Sequence, residues 1–143
     1  MVDFFAGWLL VLAGGLFGAE VLLARQTSLK ETLQHLQIYQ DSIGLFNLAL
    51  GIGGLFHALS HATTHSYAPL YWLLYFGSAL CALCIGATLC VHFLNARLTH
   101  GPEWVHRALI HVSLWTKSQE LPFTWCALAL GLWRGLNPLL GAS

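Results

Sequence analysis

Four apolar stretches, each about as long as a bilayer is thick and nearly free of charge, constrain this chain more than any motif in it. They run from about Phe4 to Ala24, broken only by Glu20, then from about Ile43 to Ala62, Pro69 to Leu94 and Pro122 to Leu140. A hydrocarbon core of ~30 Å takes about 20 mostly apolar residues per helix. The pattern therefore predicts an all-α fold, an integral membrane four-helix bundle. Composition points the same way. The chain is 57% hydrophobic and 8% charged, against about 25% charged in an ordinary soluble domain. Spans and short connections use up almost all 143 residues, so a single four-span domain over 1–143 is expected. The Met1-Val2-Asp3-Phe4 start lacks the positive region of a secretory signal, and the first stretch reads as a retained span.

The connections carry the sidedness. Arg25 and Lys30 lie between the first two stretches and Arg97, Arg107 and Lys117 between the last two, while residues 63–68 contain no lysine or arginine. The positive-inside rule makes the basic loops cytoplasmic and puts both termini and the His65 turn outside the cytoplasm. Arg134 is the one basic residue that departs from this. Each basic loop also carries a short amphipathic pattern suited to an interfacial helix. Ser28-Leu29-Lys30-Glu31 is a capping box ahead of Leu33 and Leu36, and Gly101-Pro102-Glu103 opens a second helix with Val105, Ala108, Leu109 and Val112 on one face. Trp104 and Trp115 are expected to anchor that helix at headgroup level.

The two halves of the chain resemble each other. Ala24-Arg25-Gln26-Thr27 matches Ala96-Arg97-Leu98-Thr99, and Leu48-Ala49-Leu50-Gly51 recurs as Leu128-Ala129-Leu130-Gly131. This suggests two hairpins repeated in parallel. Small residues four apart, Gly14 and Gly18, Ala49 and Gly53, Ala82 and Gly86, Gly131 and Gly135, give every stretch a face on which a second helix can approach closely. Asn137-Pro138 should end the last helix early. Cys81, Cys84, Cys90 and Cys126 all fall inside apolar stretches, which suits packing rather than a disulfide framework.

The most pointed chemistry is a histidine ladder. His57, His61 and His65 recur every fourth residue, and that spacing stacks side chains on one helix face. With Asp3 expected on the same side, these residues are the candidate metal ligands. Hydrogen-bonded packing with Ser60, Thr63 and Thr64 is the plainer reading. His57 alone is the candidate axial ligand of a haem or pigment shared with another subunit, since His57 and His92 fall at opposite ends of their spans and cannot share one macrocycle. Glu20 and Arg134 are the ionisable residues inside spans. Glu20 is expected to pair with Arg25 or Arg97, and Arg134 with Asp3. His35, His100, His106 and His111 fall in the loops as surface residues.

No nucleophile triad, phosphate-cradling loop or pair of catalytic carboxylates is present in the pattern, so enzyme activity has no candidate centre. Net charge is zero, which gives no footprint for nucleic acid. The leading functional expectation is a small accessory or structural subunit of a larger membrane protein complex. Its partners would be membrane lipids and other membrane subunits, or further copies of itself. A metal-ion or proton-coupled transporter using the ladder is the alternative, and an electron-transfer or pigment-binding subunit the second. The corresponding cofactors would be a transition metal, haem or a pigment.

Overall fold

The computed structural model describes residues 2–19, 31, 35, 38–61, 69–98 and 100–140. Among them the fold is all-α with six helices. These are α1 (Val2–Phe17), α2 (Gln40–Ser60), α3 (Pro69–Leu89), α4 (Val91–Arg97), α5 (Glu103–Ser118) and α6 (Glu120–Leu140). Local signals account for several ends. Asp3, Asp41, Glu103 and Glu120 put negative charge in the first turns of α1, α2, α5 and α6, where the helix dipole favours it. Pro69 opens α3 and Pro102 stands extended at the cap of α5, positions where a missing amide costs little.

The four-helix membrane bundle is not what forms. The third stretch is not one helix to Leu94 but breaks at Cys90, whose thiol donates to the Gly86 carbonyl at 2.8 Å while α4 starts anew at Val91. The second amphipathic pattern forms α5, which packs on α3, with Thr116 buried and Ala108 exposed. Trp104 and Trp115 are both exposed, and Trp115 also packs edge-on to Phe123 of α6. The first amphipathic pattern, around Leu29, Leu33 and Leu36, lies outside the described residues.

The membrane placement is corrected as well. Among the described residues only α2 and α3 are long and apolar enough to cross a bilayer, by length and composition alone, and helices of that kind also form cores of soluble proteins. Helix α1 is apolar but 16 residues long. Helix α6 starts at Glu120, carries Arg134 and Asn137, and falls short in apolar content. Without four crossings the assignment of both termini to the outside loses its basis, as does the positive-inside argument built on it. Nor does Pro138 end α6 early, since the helix runs on to Leu140.

The helices associate chiefly as two pairs, α1 with α6 and α2 with α3. Glycine makes both close. Gly14 and Gly18 lie against Ala127 and Thr124, and Gly44 and Gly51 against Cys90 and Leu83. The Ala49–Gly53 face is not used in this way, for nothing approaches Gly53 within 4 Å. Between the pairs, Leu10, Ala13, Leu16, Phe17, Ala82, Ile85 and Ala127 build the shared core, with Ile43, Phe123 and Leu130 packed against it.

The internal repeat seen in the sequence recurs in these contacts. Residues of α3 stand 72 positions after their counterparts in α1, as Cys90 after Gly18, and α6 stands 80 after α2 with the same extent, Glu120–Leu140 for Gln40–Ser60. Gly18 meets Thr124 as Cys90 meets Gly44, and Gly131 meets Val11 as Gly51 meets Leu83. The chain turns out of helix at Gly18 and at Cys90 alike.

Candidate functional site

Arg134 is the most demanding group in the fold, because a guanidinium taken out of water needs acceptors for its donors. It sits in α6 with 6% of its surface exposed. Its Nε and Nη2 both donate to Oδ1 of Asp3, at 3.1 and 2.8 Å. Nη2 also donates to the Tyr75 hydroxyl at 3.1 Å and Nη1 to Ser78 Oγ at 3.3 Å, while the guanidinium carbon lies 4.4 Å from the centre of the Tyr75 ring. The Ser78 hydroxyl donates onward to the Tyr75 carbonyl at 2.7 Å. Three helices thus converge on one cation.

The ion pair joins Asp3 and Arg134 as the sequence reading expected. It does so by geometry and does not restore the topology from which it was argued. Tyr75 and Ser78, three apart on α3 and so on one face, were missed. The available signal was a serine in the middle of an apolar stretch one turn after a tyrosine.

A cavity of about 340 Å3 opens beside this cluster, lined by Asp3, His57, Tyr75 and Arg134 and by the small face of α2 at Ala49, Gly53 and Gly54. A second of about 150 Å3 shares Asp3, His57 and Tyr75 and adds Tyr71 and Trp72. Both lie near or below the lower end of the size range of small-molecule sites. The Arg134 and Asp3 charges cancel within the pair, so the cavity offers hydrogen-bonding groups without a net field. A carboxylate, a phenol and an imidazole around one small space suit the binding of water or a small polar molecule, or the passage of a proton between Asp3 and His57.

Among the described residues the histidine ladder brings no metal-ligand set together. His57 and His61 do stack, with ring centres 4.3 Å apart, but His61 Nδ1 lies 3.1 Å from the His57 carbonyl and 2.9 Å from Ser60 Oγ. That is hydrogen bonding at the end of α2, where a helix leaves carbonyls without amide partners. Among the described residues no three His, Cys, Asp or Glu side chains come together to hold a metal ion. His65 and Glu20 lie outside the described residues, and Asp3 faces Arg134 rather than a set of ligands.

Two other polar groups, one buried and one half-buried, were not foreseen. Asn47, fully buried in α2, donates from Nδ2 to the Leu9 carbonyl of α1 at 3.1 Å and to Ile43 at 3.2 Å, leaving its Oδ1 without a partner. His106 is no surface bystander. Its Nε2 donates to the Leu98 carbonyl at 2.6 Å and its Nδ1 lies 3.1 Å from the Asn95 amide, so it ties α5 to the end of α4. No protein-family model, curated protein or solved structure matches the chain.

Proposed function

We propose that the protein is a non-enzymatic accessory or structural subunit of a larger membrane protein assembly. One observation carries the reading, the extent of large apolar side chain left on the surface while several polar groups lie buried beside the apolar core. Arg134, Asn47, Ser78, Thr116 and Thr124 are buried, whereas Phe5, Phe46, Phe56, Leu59, Leu70 and Leu73 are each more than half exposed. Phe46, Phe56 and Leu59 all project from α2, one of the two helices apolar enough to enter a bilayer. Exposed apolar area of this extent on a small chain marks a surface that lipid or another subunit covers. The reading asserts no number of crossings and no sidedness.

The test is recovery from native membranes with partners in fixed ratio. Phe46→Lys with Phe56→Lys should release those partners while the helical circular-dichroism signal stays unchanged, because neither side chain contributes to the core. Recovery of the parent chain as a lone monomer in detergent-free buffer overturns the reading.

A further inference from the structure

A further cleft belongs to neither the polar site nor the exposed face of α2. It lies between α3, α5 and α6, holds about 710 Å3, and is lined by Gly77, Cys81 and Cys84 from α3, Cys126 and Leu130 from α6 and Trp115 and Gln119 from α5. The repeat shows why space exists there. The positions equivalent to Gly77, Cys81, Cys84 and Cys126 in the other half are Phe5, Leu9, Leu12 and Phe46. Four bulky side chains are replaced by one glycine and three small thiols, and no neighbour fills the volume. A Cβ on Gly77 would meet only Leu130 Cδ1, at an ordinary 3.8 Å.

We propose that this cleft binds an uncharged lipophilic molecule with a single polar head, of the class of a long-chain alcohol. The volume falls within the roughly 300–1,000 Å3 range of small-molecule sites. Along α6 the lining runs from Pro122 to Leu130, about 12 Å at 1.5 Å per residue, so an elongated body fits. Its polar groups gather at one end. Gln119 and Trp115 line that end, and neither the amide nor the indole N–H has a hydrogen-bond partner among the described residues. Among the described residues no charged side chain lines the cleft, and nearby Lys117 and Glu120 pair with each other at 3.1 Å. An ionised head would therefore lie uncompensated.

The experiment is photolabelling of the purified full-length chain with hexadecanol carrying a mid-chain diazirine, followed by peptide mapping. Saturable labelling of the Cys84, Phe123 and Cys126 peptides is expected, with at least tenfold loss on competition by unlabelled hexadecanol. Gly77→Phe and, separately, Cys126→Phe restore the residues of the other half and should each abolish that labelling. Cys126 is already exposed, so its variant keeps the test open where Gly77→Phe does not fold. Labelling spread evenly over the exposed faces of α1 and α2, or unchanged in a folded Cys126→Phe chain, overturns the proposal. The subunit reading would be untouched by that failure.

Discussion

Gly7 of α1 and Gly131 of α6 meet backbone to backbone: a methyl group on Gly7 would stand 2.7 Å from the Gly131 carbonyl oxygen, and one on Gly131 2.8 Å from that of Gly7. Backbone cannot rotate aside as a flexible side chain can. Gly131→Ala is therefore expected to force α1 and α6 apart and destabilise the fold by about 1–3 kcal/mol, the usual range for overpacking. Gly15→Ala, with nothing within 4 Å, should be neutral or gain up to about 1 kcal/mol from helix propensity. Equilibrium unfolding of the two variants side by side decides the matter, and equal midpoints would show that the close approach is not needed.

Removing the charge of Asp3 leaves the Arg134 guanidinium buried with two neutral acceptors. Asp3 is 48% exposed and Arg134 only 7% at the side chain, so the pair falls between exposed pairs and buried ones. Asp3→Asn should cost about 1–3 kcal/mol. Arg134→Lys should not preserve the site, since one ammonium cannot serve Asp3, Tyr75 and Ser78 in the directions that the planar fork does. A double-mutant cycle of Asp3→Asn with Arg134→Leu measures the coupling, and additive effects would refute it.

Asn47 stands at the junction of the two helix pairs. Asn47→Ala removes the bond to the Leu9 carbonyl but also removes the buried Oδ1, which has no partner. The two effects oppose, and loss of the bond together with the cavity left behind should dominate by about 1–2 kcal/mol. Hydrogen exchange ought to rise first in α1 around Leu9. Protection that falls uniformly over all six helices would instead mean that Asn47 has no special place between the pairs.

Burial pushes the Cys90 thiol from its ordinary 9.0 up to about 11, with the Asp41 charge acting in the same direction. A raised folded-state value means that the contribution is complete below pH 9 and is lost as pH climbs towards 11. Stability of the parent chain should thus fall more steeply over that interval than stability of Cys90→Ser. Parallel pH profiles for the two proteins would count against a buried, neutral thiol at the break.

The sequence made helices, repeat and ion pair legible for separate reasons. Apolar stretches of helical length and the Pro69 and Pro102 starts are local signals, and they reappear as α2, α3 and α5. The matched segments at Ala24 and Ala96, and at Leu48 and Leu128, carried the offsets that the helix contacts follow. Hydropathy alone misled at α1 and α6, where a run of apolar letters hides a 16-residue helix in one case and the polar interior at Arg134 in the other. The break at Cys90 was invisible because no proline or glycine stands there to announce it. The cluster of Tyr75 and Ser78 around Arg134 requires three helices to converge, which no window of a few residues can report. The histidine spacing does stack His57 near His61, but the His61 Nδ1 lies against backbone and serine.

Pairing α1 with α6 sets the order in which the protein can be completed. Gly7 leaves the ribosome 124 residues ahead of Gly131, which at about 5–20 residues per second is roughly 6–25 s. Throughout that interval the Gly7, Gly14 and Gly18 face is open and Asp3 has no cation, while α2 and α3 can already close on each other. Helix α1 is thus made well before the partner that covers its glycine face, and in the meantime that face is open to a chaperone or to a protease.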